Sequence, residues 1–340
     1  TKARARGAAE EMGDPVLVRP SYVRGGRAMQ IVHNRDQLHH YMTNAIKVSH
    51  EHHVLIDSYL QGKECEVGAI CDGTTVLIPG IMEHIEGAGI HSGDSMAVYP
   101  SQTLSDDVIS QIETQTIQLA HSLKCIGLMN VQFVIHEGTA YVIEVNPRAS
   151  RTVPFLSKVT KIPMTQLATE VIMGQKLADK GYTDGLAPAD KMIHVKAPIF
   201  SFSKLNDVDS LLGPEMKSTG EVMGSDVSLP KALNKAFIAS GYEIPDHGSI
   251  LMTIRDEQKP KATEVARRLT NLGFSIYATQ GTADFFEQHG VPVMKRVAKL
   301  SDGSDDEIMD LLVNKRVSLV VNTVDDTENG QQDGARMRAM

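Results

Sequence analysis

Gln132, Glu144 and Asn146 are three oxygen-bearing side chains set on what read as neighbouring strands. Met129–His136 and Ala140–Val145 have strand character and are joined by a Glu-Gly turn at 137–138. Glu144 and Asn146, two apart, therefore share one face. Such oxygens suit Mg²⁺, which takes few protein carboxylates and completes its shell with substrate phosphates. Arg148 and Arg151 follow directly after Pro147. Divalent-metal ligands beside guanidinium groups are the parts phosphoryl transfer needs. The protein aligns donor and acceptor and neutralises spreading charge without supplying a nucleophile. The competing reading is a paired structural network of polar groups among apolar neighbours.

Two further segments carry donors and acceptors. Arg19 precedes a loop with Gly25-Gly26, where a bare backbone approaches phosphate oxygens closely and arginine supplies charge; a Gly-Gly hairpin turn explains the pair equally well. Ile90-His91-Ser92-Gly93-Asp94-Ser95, preceded by Glu83-His84-Ile85-Glu86, is a polar binding-loop candidate or else a surface turn. No GxxxxGK[ST] motif and no protein-kinase catalytic loop is present, which argues against those two routes to phosphoryl transfer.

The elements that must hold these residues fall into two patterns. Strands are expected at Val16–Val18, Ala28–Val32, Val54–Tyr59, Cys65–Cys71 and Thr75–Ile81, with helices at 3–12, 38–49, 106–124 and 164–180. The stretch 181–230 is punctuated by Gly and Pro and suggests no element. From Ser249 the pattern alternates: strand Ile250–Ile254, helix 260–272, strand Ser275–Ala278, helix 282–289, strand Val317–Val321. That is a doubly wound parallel sheet. The fold class is thus α/β and α+β, with a domain over 1–245, a second over 246–340, and a hinge at Gly241–His247.

Bulk composition narrows the classes. With 340 residues the chain has room for two or three cores, and a net charge of −8 argues against a nucleic-acid surface. No run reaches the roughly 18 apolar residues needed to span a bilayer, and the N-terminus has no apolar signal core. Cys65, Cys71 and Cys125 form no CxxC pair, which fits buried thiols in a reducing cytoplasm. The cluster His50, His52 and His53 is followed by no HExxH and reads as surface.

Taken together, the motifs carry a resemblance. Arg19-Pro20-Ser21-Tyr22-Val23 with Gly25-Gly26-Arg27-Ala28-Met29, His91-Ser92-Gly93-Asp94-Ser95, and the run Glu144-Val145-Asn146-Pro147-Arg148 through Arg151-Thr152-Val153-Pro154-Phe155 resemble the ATP-grasp family. More closely they resemble the second synthetase half of the carbamoyl phosphate synthetase large subunit, over nearly the whole chain. Biotin carboxylases share the ATP-grasp plan without the Arg-Thr-Val-Pro-Phe continuation, so a ligase of that kind is the less favoured alternative. The resemblance implies a partial ATP-grasp domain that lacks its upstream nucleotide segment, followed by a methylglyoxal-synthase-like allosteric domain, so the chain is expected to be a fragment.

By motif position, the resemblance implies that Gln132, Glu144 and Asn146 hold Mg²⁺ or Mn²⁺. Arg19, Ser58, Leu60, Glu64, Gly89, Ile90, His91 and Ser92, together with Gln132 and Glu144, would meet ATP, and a K⁺ ion is expected near the nucleotide. Arg148 and Arg151 would steady the transferring phosphate and the substrate carbamate. Arg24 stands where relatives carry an apolar residue. In the second domain Thr253, Lys259, Thr279, Thr282, Lys299 and Asn322 would bind a nucleotide effector. Thr279-Gln280-Gly281-Thr282 there opens a helix after a strand, a ready anion site. Val324 falls where some relatives have a threonine. The implied activity is ATP-dependent phosphorylation of carbamate to carbamoyl phosphate within synthesis from glutamine or ammonia, bicarbonate and two ATP, serving pyrimidine and arginine formation. The implied partners are a small glutaminase subunit and the effector, with no nucleic acid and no membrane; a homo-oligomer is left open. The alternative is a catalytically silent nucleotide- and effector-binding module.

Overall fold

The computed structural model describes residues 7–9, 11–13, 15–20, 29–48, 54–201, 211–300, 307–323 and 328–338. The Gly25-Gly26 loop with Arg24, the 50–53 histidines and Val324 lie outside the described residues. Two compact units are formed, the first ending at Tyr242 and the second beginning at Glu243 apart from a short segment before Leu212.

The first unit opens with a small antiparallel sheet in the order β2-β1-β3, from β1 (Val16–Pro20), β2 (Gln30–Val32) and β3 (Val54–Ser58). Val16, Val18 and Val32 bury against Leu38, Tyr41 and Met42 of the helix Arg35–Val48, a small apolar core of its own. The main sheet has eight strands. β11 (Gly220–Asp226), β10 (Ile193–Ile199), β6 (Ala97–Tyr99), β5 (Val76–Gly87), β4 (Lys63–Asp72), β7 (Ile126–His136) and β8 (Thr139–Asn146) follow in that order, and β9 (Gly185–Leu186) lies parallel to β5. Its two faces carry separate cores. On one, Val131, Phe133 and Ala140 pack with Val108 and Ile112 of the helix Asp106–Ser122. On the other, Ile70 and Met82 pack with Leu156, Met164 and Leu167 from the helices Val153–Thr160 and Met164–Ile172.

The expected helix over 164–180 stops at Ile172, because Gly174 takes φ +97° and Gln175 closes back onto Glu170. Asp72 then secures the chain: its buried carboxylate accepts from the Thr74 hydroxyl and from the N–H groups of Thr74, Thr75 and Leu177 at 2.6 to 2.8 Å. Burial alone would raise its pKa, but these donors outweigh it and hold the carboxyl well below the usual range.

The stretch 181–230 contains the strands β9, β10 and β11 and the start of the helix Leu229–Ala239, none of which was expected from the sequence. Their signal is weak for physical reasons. β10 buries polar His194 and Lys196 between its apolar residues, and β11 contains two glycines. Gly224 is required there. A Cβ on it would stand 2.2 Å from the Ala232 carbonyl oxygen and 2.4 Å from the Ala236 nitrogen, so only glycine lets the helix lie on the sheet.

The second unit is the expected parallel sheet, in the order β14-β13-β12-β15, formed by β12 (Ser249–Thr253), β13 (Ser275–Thr279), β14 (Lys295–Val297) and β15 (Leu319–Asn322). Helices Lys259–Asn271 and Gln280–Gln288 supply the crossovers between the first strands, and Ile250, Met252, Ile276 and Phe286 form their shared core. β14 and the short helix Glu307–Val313 were not expected; three and seven residues are too short for a periodic signal.

Gly224→Ala should destabilise the first unit by about 2–3 kcal/mol, read as a lower urea midpoint, because the clash is with backbone rather than with a movable side chain. Asp72→Ala should lower stability at neutral pH while making the acid limb shallower. A depressed folded-state pKa gives stability that is present above the ordinary aspartate pKa and lost as pH falls toward the folded value. An unchanged acid limb would remove Asp72 from that role.

Candidate functional site

Strands β7 and β8 would not present Gln132, Glu144 and Asn146 together if their pairing were regular. Phe133 and Val131, two apart on β7, both bury toward the helix Asp106–Ser122, yet their partners Val142 and Val145 are three apart. A bulge absorbs the extra residue, between the pairs Gln132–Glu144 and Phe133–Val142. It puts Gln132 opposite Glu144 and Asn130 opposite Asn146 on the face away from that helix. Glu144 is exposed there and Asn146 half-buried, so the three are not a sealed structural network.

Hydrogen bonds orient this set. Asn146 Nδ2 donates to Glu144 Oε1 at 2.8 Å, and Gln132 Nε2 donates to Ser92 Oγ at 3.1 Å. With both amide nitrogens engaged, Gln132 Oε1, Asn146 Oδ1 and Glu144 Oε2 are the oxygens a cation would take. One charge and two neutral dipoles fit a hard divalent ion that shares its shell with phosphate oxygens. Among the described residues no group of three His, Cys, Asp or Glu side chains is placed to hold a metal ion.

The bond to Ser92 ties the 91–95 loop into this site. His91 N–H donates to Gly213 O, and buried Asp94 accepts from the N–H groups of Lys217 and Ser218 at 2.8 and 2.9 Å. Ser218 Oγ donates back to Gly93 O at 2.8 Å. The loop is thus a fixed shelf rather than a free turn. Burial lowers the His91 pKa, only partly countered by Asp94, so the ring is neutral near pH 7 and Nδ1 accepts from the Gly93 N–H. Upstream, Glu64 accepts from the Gly89 N–H at 2.9 Å, while the Tyr59 hydroxyl donates to the Ala88 carbonyl. Gly89 has φ +99° against the Tyr59 ring, which leaves no room for a side chain.

The arginines take different positions. Arg151 Nη1 donates to Ser218 Oγ at 3.1 Å, and its Nε lies 3.8 Å from Glu221 Oε1. Thr152, the next residue, donates to buried Glu66 at 2.9 Å and so fixes the turn. Arg148 is exposed, its Nη1 on the carbonyl of Ala149. Arg19 pairs with Asp57 at 2.8 Å on β1 and β3. Ser58 is exposed, and Leu60 and Ile90 are half-buried. Neighbouring contacts thus join Ser92, Gln132 and the 91–95 loop, join Glu144 with Asn146, and join Glu64 with Gly89. The reading of the sequence missed Lys196, Glu221, Glu66 and Ser218. Lys196 was the most visible of these, a charge inside an otherwise strand-like run.

In the second unit, Thr279 Oγ1 lies 3.5 Å from Thr253 Oγ1 and 3.2 Å from Thr282 Oγ1, and Asn322 sits opposite Thr253 across β12 and β15. Lys259 Nζ meets Asp256 at 2.5 Å. The hydrogen bond from Lys259 is the main cause holding the Asp256 carboxyl below its ordinary range, and Lys299 follows the C-terminal end of β14. The three threonines, two lysines and Asn322 gather at the C-terminal ends of the parallel strands, where ligands bind in such sheets.

Comparison with known proteins agrees with this architecture. A family model described as the carbamoyl-phosphate synthase L chain, ATP-binding domain, matches residues 1–180, and one described as the MGS-like domain matches 261–340. The biotin carboxylase domain of Hydrogenobacter thermophilus 2-oxoglutarate carboxylase, solved with MgADP, ADP and bicarbonate, is similar at 19% identity and a TM-score of 0.50, over 59% of this chain and 45% of that one. N5-carboxyaminoimidazole ribonucleotide synthetase from Thermus thermophilus is similar at 14% identity and a TM-score of 0.51, over 71% and 65%. The chain therefore spans under two thirds of either structure, and at such identities the likeness is one of fold, here of the ATP-grasp type. No helix among the described residues is long and apolar enough to cross a membrane.

Asp94→Ala should leave two backbone donors unpaired at a cost of about 2–4 kcal/mol. Hydrogen exchange at the Lys217 and Ser218 amides should accelerate at least about tenfold, while exchange in β4 is unchanged. Equal acceleration in both places would mean global destabilisation rather than release of the loop.

Proposed function

Because the chain belongs to the family of the carbamoyl-phosphate synthase L chain ATP-binding domain, we propose that it carries the ATP-dependent phosphorylation of carbamate to carbamoyl phosphate, followed by an MGS-like effector domain. The observation that carries the reading is the bulge-set trio Gln132, Glu144 and Asn146, with Arg151 on the turn that follows it. The proposed domains are 1–245 for synthesis and 246–340 for allosteric control. We assign the nucleotide to Arg19, Ser58, Leu60, Glu64, Gly89, Ile90, His91 and Ser92, with Gln132 and Glu144 at its phosphate end. The effector falls to the threonine, lysine and Asn322 group of the second unit.

Gln132, Glu144 and Asn146 would hold Mg²⁺ or Mn²⁺, which when bound neutralises phosphate charge and orients the transferring group. A carbamate oxygen attacks the γ-phosphorus of ATP in line and ADP leaves, so no protein nucleophile is required. Arg151, already fixed by Ser218 and Glu221, offers its guanidinium to the equatorial oxygens, and exposed Arg148 is free to turn from its own loop toward the substrate. The loop held by Asp94 keeps Ser92 against Gln132, so the nucleotide shelf and the cation ligands are set in one piece. A K⁺ ion near the nucleotide, a glutaminase subunit as ammonia source and a cytoplasmic setting complete the reading.

The reaction is assayed in reverse, as ATP formation from carbamoyl phosphate and MgADP. Glu144→Gln should abolish ATP formation by at least about 100-fold with the thermal unfolding midpoint retained, since Glu144 is exposed and a glutamine carbonyl oxygen can still accept from Asn146. If the wild-type chain binds MgADP and makes no ATP, the carbamate assignment fails. If Glu144→Gln unfolds the protein, Glu144 is a structural residue.

A further inference from the structure

Lys196 is fully buried on β10, and a buried ammonium needs compensation from every side. It has less than that. Nζ donates to the Ser92 carbonyl at 2.9 Å, and its nearest carboxylate oxygen, Glu221 Oε1, stands at 3.7 Å, outside hydrogen-bond distance. The same Oε1 lies 3.8 Å from Arg151 Nε and is buried without a hydrogen bond among the described residues. One carboxylate therefore sits between two cations, and each cation also holds a different part of the site. Lys196 grips the carbonyl of Ser92, whose hydroxyl meets Gln132, and Arg151 reaches Ser218 beside the Asp94 staple.

We propose that Lys196 is a positioning residue whose ammonium, between the Ser92 carbonyl and the Glu221 carboxylate, fixes the 91–93 loop and Arg151 in one relation to each other. Glu221 is the link: ionised, it holds Arg151 in place, and Lys196 keeps it ionised. Burial leaves the Glu221 carboxyl above its ordinary range, with Lys196 and then Arg151 pulling it down and Glu66 pushing it up. Lys196 is felt as well by Glu86 and His91, which belong to the same packed region. With the ammonium removed, the largest influence opposing burial is lost, the Glu221 carboxyl holds its proton to higher pH, and its grip on Arg151 weakens. The role rests on the carbamate reading only for its catalytic readout.

The test uses the full chain as wild type, Lys196→Met, Lys196→Arg and Lys196→Met/Glu221→Gln. Lys196→Met should bind MgADP within about threefold of wild type, yet form ATP about 10- to 100-fold more slowly at pH 7, with partial recovery in Lys196→Arg. Its deficit should shrink as pH rises and Glu221 regains its charge, whereas the double variant, with no carboxylate at 221, should show a deficit independent of pH. A readout free of turnover is labelling of Arg151 by phenylglyoxal, with Arg148 as internal reference. The Arg151/Arg148 ratio should rise several-fold in Lys196→Met, and in Glu221→Gln should the first variant fail to fold. An unchanged ratio, or a folded Lys196→Met that works at the wild-type rate, overturns the proposal. A wild-type chain that binds MgADP but makes no ATP refutes the carbamate reading instead, and the labelling ratio then decides the role of Lys196.

Discussion

One extra residue in β8 sets the terms for everything else in the first unit. A β-strand alternates its side chains with a period of two, so in a regular strand Val142 and Val145 could not stand opposite Phe133 and Val131, which share one face of β7. The bulge resolves this at the point where Glu144 and Asn146 must turn outward. It keeps Val145 packed on the core of Val131 and Phe133 and turns Glu144 and Asn146 to the other face, opposite Gln132 and Asn130. Bulges are found next to active sites for this reason, since they re-aim a side chain without moving the sheet.

Around that trio the chain invests buried polar groups. Asp94, Glu66, Glu221 and Lys196 are all wholly or largely removed from solvent, and each ties one segment of the site to another. Asp94 joins the 91–95 loop to 217–218, and Glu66 joins β4 to Asn130 on β7 and to Thr152 beside Arg151. Buried charges of this sort are poor sources of net stability, because desolvation offsets most of their attraction. What they give is a single arrangement: a shelf that cannot drift relative to Gln132 and Arg151. Preorganised charge is what a transfer reaction without a protein nucleophile draws on.

Much of this was legible in the sequence. The parallel sheet of the second unit followed from strand–helix alternation, and the β7–β8 hairpin from apolar alternation around a Glu-Gly turn. The proposal of Gln132, Glu144 and Asn146 as oxygen ligands rests on residue type and spacing, both visible in the sequence. Three things were not. The bulge leaves no residue-type signature, since Ile143 resembles any strand residue. β10 and β11 were hidden because their inward positions carry His194, Lys196 and glycines, whose meaning depends on partners outside their own strands: Ser225 for His194, Ser92 for Lys196 and the helix Leu229–Ala239 for Gly224. The staples at Asp72, Asp94 and Glu66 are contacts between distant segments, and local pattern carries no information about them.

The central claim is that one divalent ion sits on three named oxygens beside the nucleotide phosphates. Anomalous scattering from a crystal grown with Mn²⁺ and ADP tests it directly. The account predicts a Mn²⁺ peak bonded to Glu144 with Gln132 and Asn146 in its shell and ADP oxygens completing it. A Mn²⁺ peak elsewhere, with ADP bound and these three side chains turned away from it, contradicts the account.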